Sequence, residues 1–241
     1  MATVDTTPSG EAQRTQRADA RRNRERILAA ASAAFAEEGF DVGVAEIARR
    51  AGVGTGTLFR HFPTKVELEV AVVLERAQGM RETLAAALAE PDPWTAFEGL
   101  MTATVEMTAC DRCLGEAARP ELMVDPRLEE LRTEMITGIE TVLERGRRAG
   151  VIRRDVAAED IPVLTGVIGS TMERYGRANP ELWRRYLGVV LDGLRADGAV
   201  PLSPGPPDIA AIDGGCGAPI AAVKAVPPPA SAPAKKRRPA A

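Results

Sequence analysis

Apolar residues recur at intervals of three and four along most of the chain, which places them on one face of an α-helix. No segment shows the strict apolar–polar alternation that predicts a half-buried β-strand. The pattern therefore predicts an all-α protein with about nine helices. The predicted helices cover residues 18–38, 44–51, 55–61, 64–88, 93 to beyond 104, 115–119, 126–150, 158–178 and 181–196.

Residues that favour helix ends support several of these boundaries. The first helix stops at Gly39, and Gly52 suits the left-handed residue that ends the second helix. Thr64 and Glu67 have the spacing of a capping box at the start of the fourth helix. The pairs Asp92–Pro93 and Asp125–Pro126 each combine an N-cap residue with a proline at the first helical position.

Residues 44–62 predict two short helices joined by a tight turn. Val44, Ile47, Ala48 and Ala51 share one face of the first helix, and Gly52 follows it. The second helix, Thr55–His61, is too short to be stable alone and must pack on its neighbours. Such a pair is a helix-turn-helix, whose second helix can present its outer face to a DNA groove.

The segment from Asn23 to Leu74 resembles the TetR family of transcriptional regulators. The resemblance rests on the pieces RILAAASAAFAEEGF, EIARRAGV, GTLFRHF and PTK, which stand in the family's order and spacing. It implies an N-terminal three-helix helix-turn-helix DNA-binding domain at residues 17–65. It also implies a C-terminal helical effector-binding and dimerisation domain at residues 66–200.

Four positions depart from the family pattern. Gly43 and Gly54 replace the usual Thr or Ser caps, and glycine as an N-cap costs only a few tenths of a kcal/mol. Phe59 replaces a frequent Tyr, so one hydroxyl–phosphate hydrogen bond, worth roughly 0.5–1.5 kcal/mol, is absent. Thr55 replaces a frequent basic residue, which removes the usual contact there.

The resemblance and the helix periodicity together give candidate DNA contacts in and after the recognition helix. The Thr hydroxyls can bond a base edge or phosphate, a Thr methyl can meet a thymine methyl, and Arg60 can reach guanine or phosphate. Gly56 permits close approach of the backbone to DNA, and His61 and Lys65 match family positions that touch phosphates. The predicted DNA-binding residues are Thr55, Gly56, Thr57, Phe59, Arg60, His61 and Lys65.

Charge is distributed unevenly. Residues 1–65 carry +2, residues 66–200 carry −8 and residues 201–241 carry +3, for a net charge of −3. DNA would repel the acidic middle but not the head, where Arg14, Arg17, Arg21, Arg22, Arg24 and Arg26 cluster. We interpret residues 1–16 as a disordered arm, and residues 201–241 as a disordered Pro/Ala-rich tail with a basic end. The tail is either passive or an extra nonspecific DNA contact.

A single recognition helix reads few base pairs, so two subunits related by a twofold axis are expected on a roughly palindromic operator. The apolar stripes of the last two helices predict an intersubunit four-helix bundle like that of TetR-like proteins, although packing within one subunit is the alternative. The predicted dimer residues are Leu164, Ile168, Met172, Trp183, Tyr186, Leu187, Val190 and Leu194.

The family resemblance also implies a small-molecule effector bound in the body. Methionines and aromatic residues of the fifth helix and its neighbours suit an adaptable apolar pocket, although the same residues can form ordinary core. The candidate ligand-binding residues are Phe97, Met101, Thr104, Met107, Cys110 and Met172.

Composition and missing motifs exclude other classes. No apolar run approaches the roughly 18–20 residues of a membrane span, and the N-terminus lacks the apolar core of a signal peptide, so we expect a cytoplasmic protein. No nucleophile with its base, paired carboxylates or phosphate loop predicts an enzyme. The sequence GVGTG at 52–56 follows a helix rather than a strand. No cofactor is expected.

Cysteine chemistry supplies an alternative. Cys110 and Cys113 form a CxxC, but without a second pair or nearby histidine a metal site is not expected; His61 is the chain's single histidine. The main prediction is a homodimeric repressor that binds double-stranded DNA and is released by a small molecule. The alternatives are a thiol-redox-responsive regulator using Cys110 and Cys113, and a helical interaction protein without specific DNA binding.

Overall fold

The computed structural model describes residues 10–206 except 112, 115, 116, 118 and 177. This part of the chain contains nine α-helices and no β-strand, only an isolated antiparallel bridge between Ile152 and Arg195. The all-α prediction is therefore confirmed. The helices are α1 (Gly10–Glu38), α2 (Val44–Ala51), α3 (Thr55–His61), α4 (Lys65–Ala89), α5 (Pro93–Cys110), α6 (Pro120–Met123), α7 (Pro126–Arg148), α8 (Asp160–Tyr175) and α9 (Leu182–Leu194).

The predicted caps form at three helix starts. Thr64 Oγ1 accepts a hydrogen bond from the Glu67 N–H at 3.1 Å. Asp92 Oδ1 accepts from the Thr95 N–H at 2.7 Å. Asp125 caps α7 in the same way, accepting from a first-turn N–H at 2.9 Å. Each bond satisfies a donor that the helix itself cannot, so these local signals fix where the helices begin.

The first helix starts earlier than the sequence indicates. It begins at Gly10, so the prediction of a disordered arm is wrong for residues 10–16, while residues 1–9 lie outside the described part. Ala, Gln and Arg are good helix formers. Extending an existing helix also costs far less than nucleating one, so a polar segment can continue a helix that is packed further along.

A smaller difference concerns the element between α5 and α7. The sequence predicts it at residues 115–119, part of which lies outside the described residues. The structure has the short helix α6 immediately afterwards, with Pro120 at its first position.

Helices α1–α4 form an N-terminal head around one core. Ile27, Phe35, Ile47 and Leu58 are fully buried there, and the rings of Phe35 and Phe40 meet edge to face at 5.0 Å. Residues beyond α4 join the same cluster, namely Cys113, Leu122, Leu128 and Leu131. The head therefore rests on part of the body instead of being an isolated module.

Helix α5 is the central helix of the body, packed against α4, α7, α8 and α9. Phe97 and Met101 are fully buried on it, together with Leu143 of α7 and Ile161 of α8. Helix α4 contributes to both cores, with Val70 in the head and Leu84 in the body. A displacement of α4 would therefore change the packing of both the head core and the body core.

The chain that follows α9 is attached to the body. Arg153 pairs with Asp155 at 2.7 Å and donates to the Gly193 carbonyl at 3.0 Å, and the Leu202 N–H donates to Asp155 Oδ2 at 2.7 Å. The Arg153 guanidinium, helped by the Leu202 N–H, holds the pKa of Asp155 well below its usual range. The predicted tail is therefore anchored at its first residues, and residues 207–241 lie outside the described part.

Candidate nucleic-acid interface

The turn between α2 and α3 is fixed from two sides. Gly52 adopts the left-handed conformation, with φ 64° and ψ 38°, and the Val53 N–H donates to the Ala48 carbonyl at 3.0 Å. From α1, Arg26 Nη2 donates to the carbonyls of Ala51 at 2.6 Å and Gly52 at 3.3 Å. Arg26 thus satisfies carbonyls at the end of α2 and ties the α2–α3 turn to α1.

A second arginine fastens α2 to the end of α1. Arg50 donates to Glu37 at 3.1 Å, to Glu46 at 2.8 Å and to Glu38. Glu46 also receives two hydrogen bonds of 2.7 Å from Arg49. The hydrogen bonds from Arg49 and then from Arg50 lower the pKa of Glu46 to about 2, so it stays ionised throughout the physiological range.

Helix α3 has one buried face and one outer face. Leu58 is fully buried and Phe62, its C-cap, is 2% exposed, so these side chains hold the helix on the head. Phe59 points outward and is 45% exposed, an unusual position for a large aromatic residue. The other predicted contacts on α3 are Thr55, Gly56 and Arg60, which are exposed, and Thr57 and His61, which are half-buried.

Lys65 differs from the other predicted DNA contacts. Its ammonium donates to the carbonyl of Phe40 and lies 3.6 Å from Glu69 of α4. The Lys65 side chain therefore joins the start of α4 to the chain that follows α1. The structure gives it an internal role that competes with the predicted contact to phosphate.

Two of the α1 arginines contact the head. Arg26 closes the α2–α3 turn, and the Arg24 guanidinium stacks over the Phe62 ring at 4.8 Å from its centroid. Arg14, Arg17 and Arg21 are exposed. All six arginines cluster in the sequence, and the contacts of Arg26 give it a structural role.

Comparison with known proteins identifies this arrangement. The protein-family model described as "Bacterial regulatory proteins, tetR family" matches residues 27–72. A second family model, "Transcriptional regulator SbtR-like, C-terminal domain", matches residues 92–196. The HTH-type transcriptional regulator AqdR of Rhodococcus erythropolis is 31% identical over 158 residues, covering 61% of this chain and 72% of that protein. The chain belongs to the TetR family.

Two further TetR-family relatives extend the match. The HTH-type transcriptional repressor BepR of Brucella suis is 28% identical over 212 residues, covering 78% of this chain and 99% of that protein. The crystal structure of the TetR transcriptional regulator SCO0520 from Streptomyces coelicolor is 31% identical, covers 73% of this chain and 99% of that one, and has a TM-score of 0.50. This TetR-family chain is a DNA-binding transcriptional regulator of the helix-turn-helix type, and regulators of this family are not enzymes.

Two kinds of feature are absent from the described residues. None of their helices is both long and apolar enough to cross a membrane. Within the same residues, no group of three or more His, Cys, Asp and Glu side chains is arranged to hold a metal ion.

The predicted dimer residues prove to be mostly core of one subunit. Ile168, Trp183, Leu187 and Leu194 are at most 5% exposed and pack inside the body, so their assignment to a dimer surface is wrong. Leu164, Met172 and Val190 are half-buried against the same cluster. Tyr186 is the predicted residue that lies outside, at 42% exposed.

A different apolar face is exposed on the last two helices. On α8 it includes Val163, Val167 and Tyr175, and on α9 it includes Tyr186 and Val189. Val167 is 61% and Val189 is 67% exposed. We name these five residues the α8–α9 face. Tyr186 is the member of this set that the sequence assigned to the dimer.

The predicted effector residues differ in burial. Phe97 and Met101 are fully buried in the body core, and Thr104, Met107 and Met172 are half-buried. The side chain of Cys110 lies outside the described part. The structure thus gives Phe97 and Met101 a packing role, which was the alternative interpretation of their spacing.

An open cavity of about 500 Å³ lies elsewhere, between α4 and α5. The sequence does not indicate it, because small residues give no periodic apolar signal. Most of its wall consists of small side chains, with Glu82 and Glu90 as its charged groups. The lining residues are Glu82, Thr83, Ala86, Ala87, Glu90, Thr95, Ala96, Gly99, Leu100 and Ala103.

The second cysteine of the CxxC is inaccessible. Cys113 is fully buried in the head-side core, and its N–H donates to Asp111 Oδ1 at 3.0 Å. Thiol reactivity needs access to the oxidant as well as a thiolate. The burial of Cys113 therefore argues against the thiol-redox alternative.

Proposed function

We propose that this TetR-family protein is a homodimeric repressor that binds a palindromic operator and is released from it by a small-molecule effector. The observation that carries the proposal is the outer face of α3, where Thr55, Gly56 and Arg60 are exposed while Leu58 and Phe62 hold the helix inside. In a helix-turn-helix this face enters the major groove. The protein acts in the cytoplasm, on chromosomal DNA.

Each exposed side chain of α3 supplies a different contact. Arg60 forms a bidentate pair with guanine or binds phosphate, and the hydroxyl of Thr55 bonds a base edge or phosphate. Gly56 has open space where a side chain would begin, so the α3 backbone can approach DNA closely. Phe59 makes an apolar contact at the DNA surface, and half-buried His61 binds phosphate at the edge of the site.

The α8–α9 face supports the dimer. Its two helices from one subunit and two from another would form a four-helix bundle, which buries apolar area that is exposed in a single chain. A twofold axis through this bundle sets the two α3 helices one DNA turn, or a multiple of it, apart, at about 34–36 Å or a multiple. The operator is then a palindrome with matching spacing.

The effector, in this proposal, occupies the cavity between α4 and α5. Its volume of about 500 Å³ lies in the range of small-molecule sites. Thr83 and Ala86 of α4 line it, and the same helix carries Leu68 and Val70 into the head core. A ligand that binds better when α4 is displaced would shift the protein toward a form whose heads no longer match the operator.

Selection of genomic DNA fragments with the purified protein tests operator binding. We expect a short palindrome, and affinity that falls with salt at a slope of about −0.9 per neutralised phosphate. Arg60→Ala should lower affinity for that palindrome at least tenfold without changing the melting temperature, whereas Arg154→Ala, on the body, should change neither. Failure to enrich any palindrome, or equal binding by Arg60→Ala, would contradict the proposal.

A cavity-filling variant tests the effector site. Ala103→Trp should retain operator affinity and lose release by compounds that displace the wild-type protein from the operator. A compound screen against the wild-type complex supplies the ligands for this comparison. If the same compound concentrations release wild-type protein and Ala103→Trp from the operator, the effector binds elsewhere in the body.

A further inference from the structure

The N-terminal part of α1 projects beyond the head. Helix α1 begins at Gly10, and Arg24 is already in contact with the end of α3, so residues 10–23 precede that contact. At a rise of 1.5 Å per residue, residues 10–23 are roughly 20 Å long. They lie before the segment at 27–72 that matches the TetR N-terminal model.

Arginines occupy one face of this projection. They stand at alternating intervals of three and four, which brings them onto one side of a helix. The same intervals continue into residues of the head cluster, so the arginine face and the core-facing side of α1 are one continuous stripe. Its members are Arg14, Arg17, Arg21 and Arg24, followed by Leu28, Ala31 and Phe35. We name the four arginines the arginine stripe.

The arginine stripe starts beside the recognition helix. Arg24 stacks over Phe62, which ends α3, at 4.8 Å from the ring centroid. From Arg24 the stripe runs toward the N-terminus of α1. It lies on the side of α1 that, after Arg24, packs in the head core through Leu28, Ala31 and Phe35. Arg14 and Arg17, at its far end, are exposed, whereas Arg21 lies 3.6 Å from Glu25. The outer two arginines are therefore presented to solvent on the same side of α1 as Arg24.

We propose that the arginine stripe is a second phosphate-binding surface, which extends each subunit's contact with DNA beyond the recognition helix. The inference rests on the proposed operator binding. Like charges three and four residues apart disfavour a helix in isolation, and a facing polyanion removes that repulsion. Arginines on phosphates add affinity and salt dependence without sequence information, so the stripe strengthens binding and leaves operator choice to α3.

Salt titration of the full-length protein on the selected palindrome tests this inference. Arg14→Ala/Arg17→Ala removes two charges per subunit and keeps the helix, because alanine is the best helix former. We expect the slope of log K against log salt to become shallower by about 1.8 per subunit, with affinity reduced at least tenfold near 0.1 M salt. The preferred sequence should not change. Arg148→Ala/Arg154→Ala, on the exposed body, is the matched control and should leave the slope intact.

Shortening the duplex gives an independent readout. Wild-type affinity should fall when base pairs flanking the palindrome are removed, and affinity of the Arg14→Ala/Arg17→Ala variant should not. Wild-type protein that binds no DNA would refute the proposed function itself. If the wild-type protein binds the palindrome and the variant shows the same salt slope, the proposed role of the arginine stripe is wrong while the proposed function stands. A changed base preference in the variant would have the same meaning.

Discussion

At Gly56, the second residue of α3, an added methyl group would meet no atom of the protein within 4 Å. Alanine there should stabilise the helix by about 0.5–1 kcal/mol, because glycine is the poorer helix former. If the α3 backbone packs closely on DNA, the added methyl group must push α3 away from the DNA. One substitution is therefore expected to change folding and binding in opposite directions.

We predict that Gly56→Ala raises the melting temperature and weakens operator binding by roughly tenfold, equivalent to about 1.4 kcal/mol. Thermal unfolding and fluorescence anisotropy on the selected palindrome measure the two effects. Gly99→Ala on α5, also with open space at the added methyl, should give the stability gain alone. Unchanged affinity in Gly56→Ala would mean that the α3 backbone does not approach DNA.

The contribution of Glu46 to the stability of the fold depends on pH. Hydrogen bonds from Arg49 and Arg50 lower its pKa from 4.5 to about 2 in the folded protein. A lowered pKa stabilises the fold above the unfolded value of 4.5, and this contribution is lost as pH falls toward 2. We predict that Glu46→Gln lowers the melting temperature modestly at neutral pH, because the carboxylate is exposed. The difference should vanish near pH 2 in thermal unfolding followed by circular dichroism; a constant difference would contradict the assignment.

At the scale of the helices, the sequence was sufficient where local chemistry decides the structure. Caps such as Thr64 and Asp92 and the glycine of the α2–α3 turn set boundaries through bonds within a few residues. The last two helices were harder, because each carries two apolar stripes. Leu164 and Ile168 lie beside Val163 and Val167, and only packing on α5 decides which stripe turns inward.

The α8–α9 face leads to a prediction about assembly. Val167→Glu places a charge in the centre of the proposed four-helix bundle, where it would be buried without a partner. We predict a monomer in sedimentation equilibrium and at least a hundredfold weaker binding to the palindrome, with the fold retained because Val167 is 61% exposed in one chain. Val124→Glu, on a residue 82% exposed before α7, should remain dimeric. A dimeric Val167→Glu would place the interface elsewhere.

At the scale of the whole molecule, Arg76 joins the head to the body. From α4 its guanidinium donates to Ser32 Oγ at 2.9 Å and to the Ser32 carbonyl at 3.0 Å on α1. It also forms an ion pair with Asp111, which follows α5. Burial raises the pKa of Asp111, and the Arg76 charge opposes that shift. Sequence periodicity could not predict this junction, because its three residues come from separate parts of the chain.

A double-mutant cycle at this junction measures the coupling between head and body. Arg76→Met should destabilise the protein by about 1–3 kcal/mol, since it leaves a half-buried carboxylate without its cation and the Ser32 acceptors without their donor. Asp111→Asn keeps the acceptor for the Cys113 N–H and should cost less. We predict a coupling energy of about 0.5–3 kcal/mol between the two changes in urea unfolding. Additive effects would mean that the ion pair contributes nothing. Because both residues lie away from α3, a parallel change in operator affinity would show that this junction sets the orientation of the DNA-binding head.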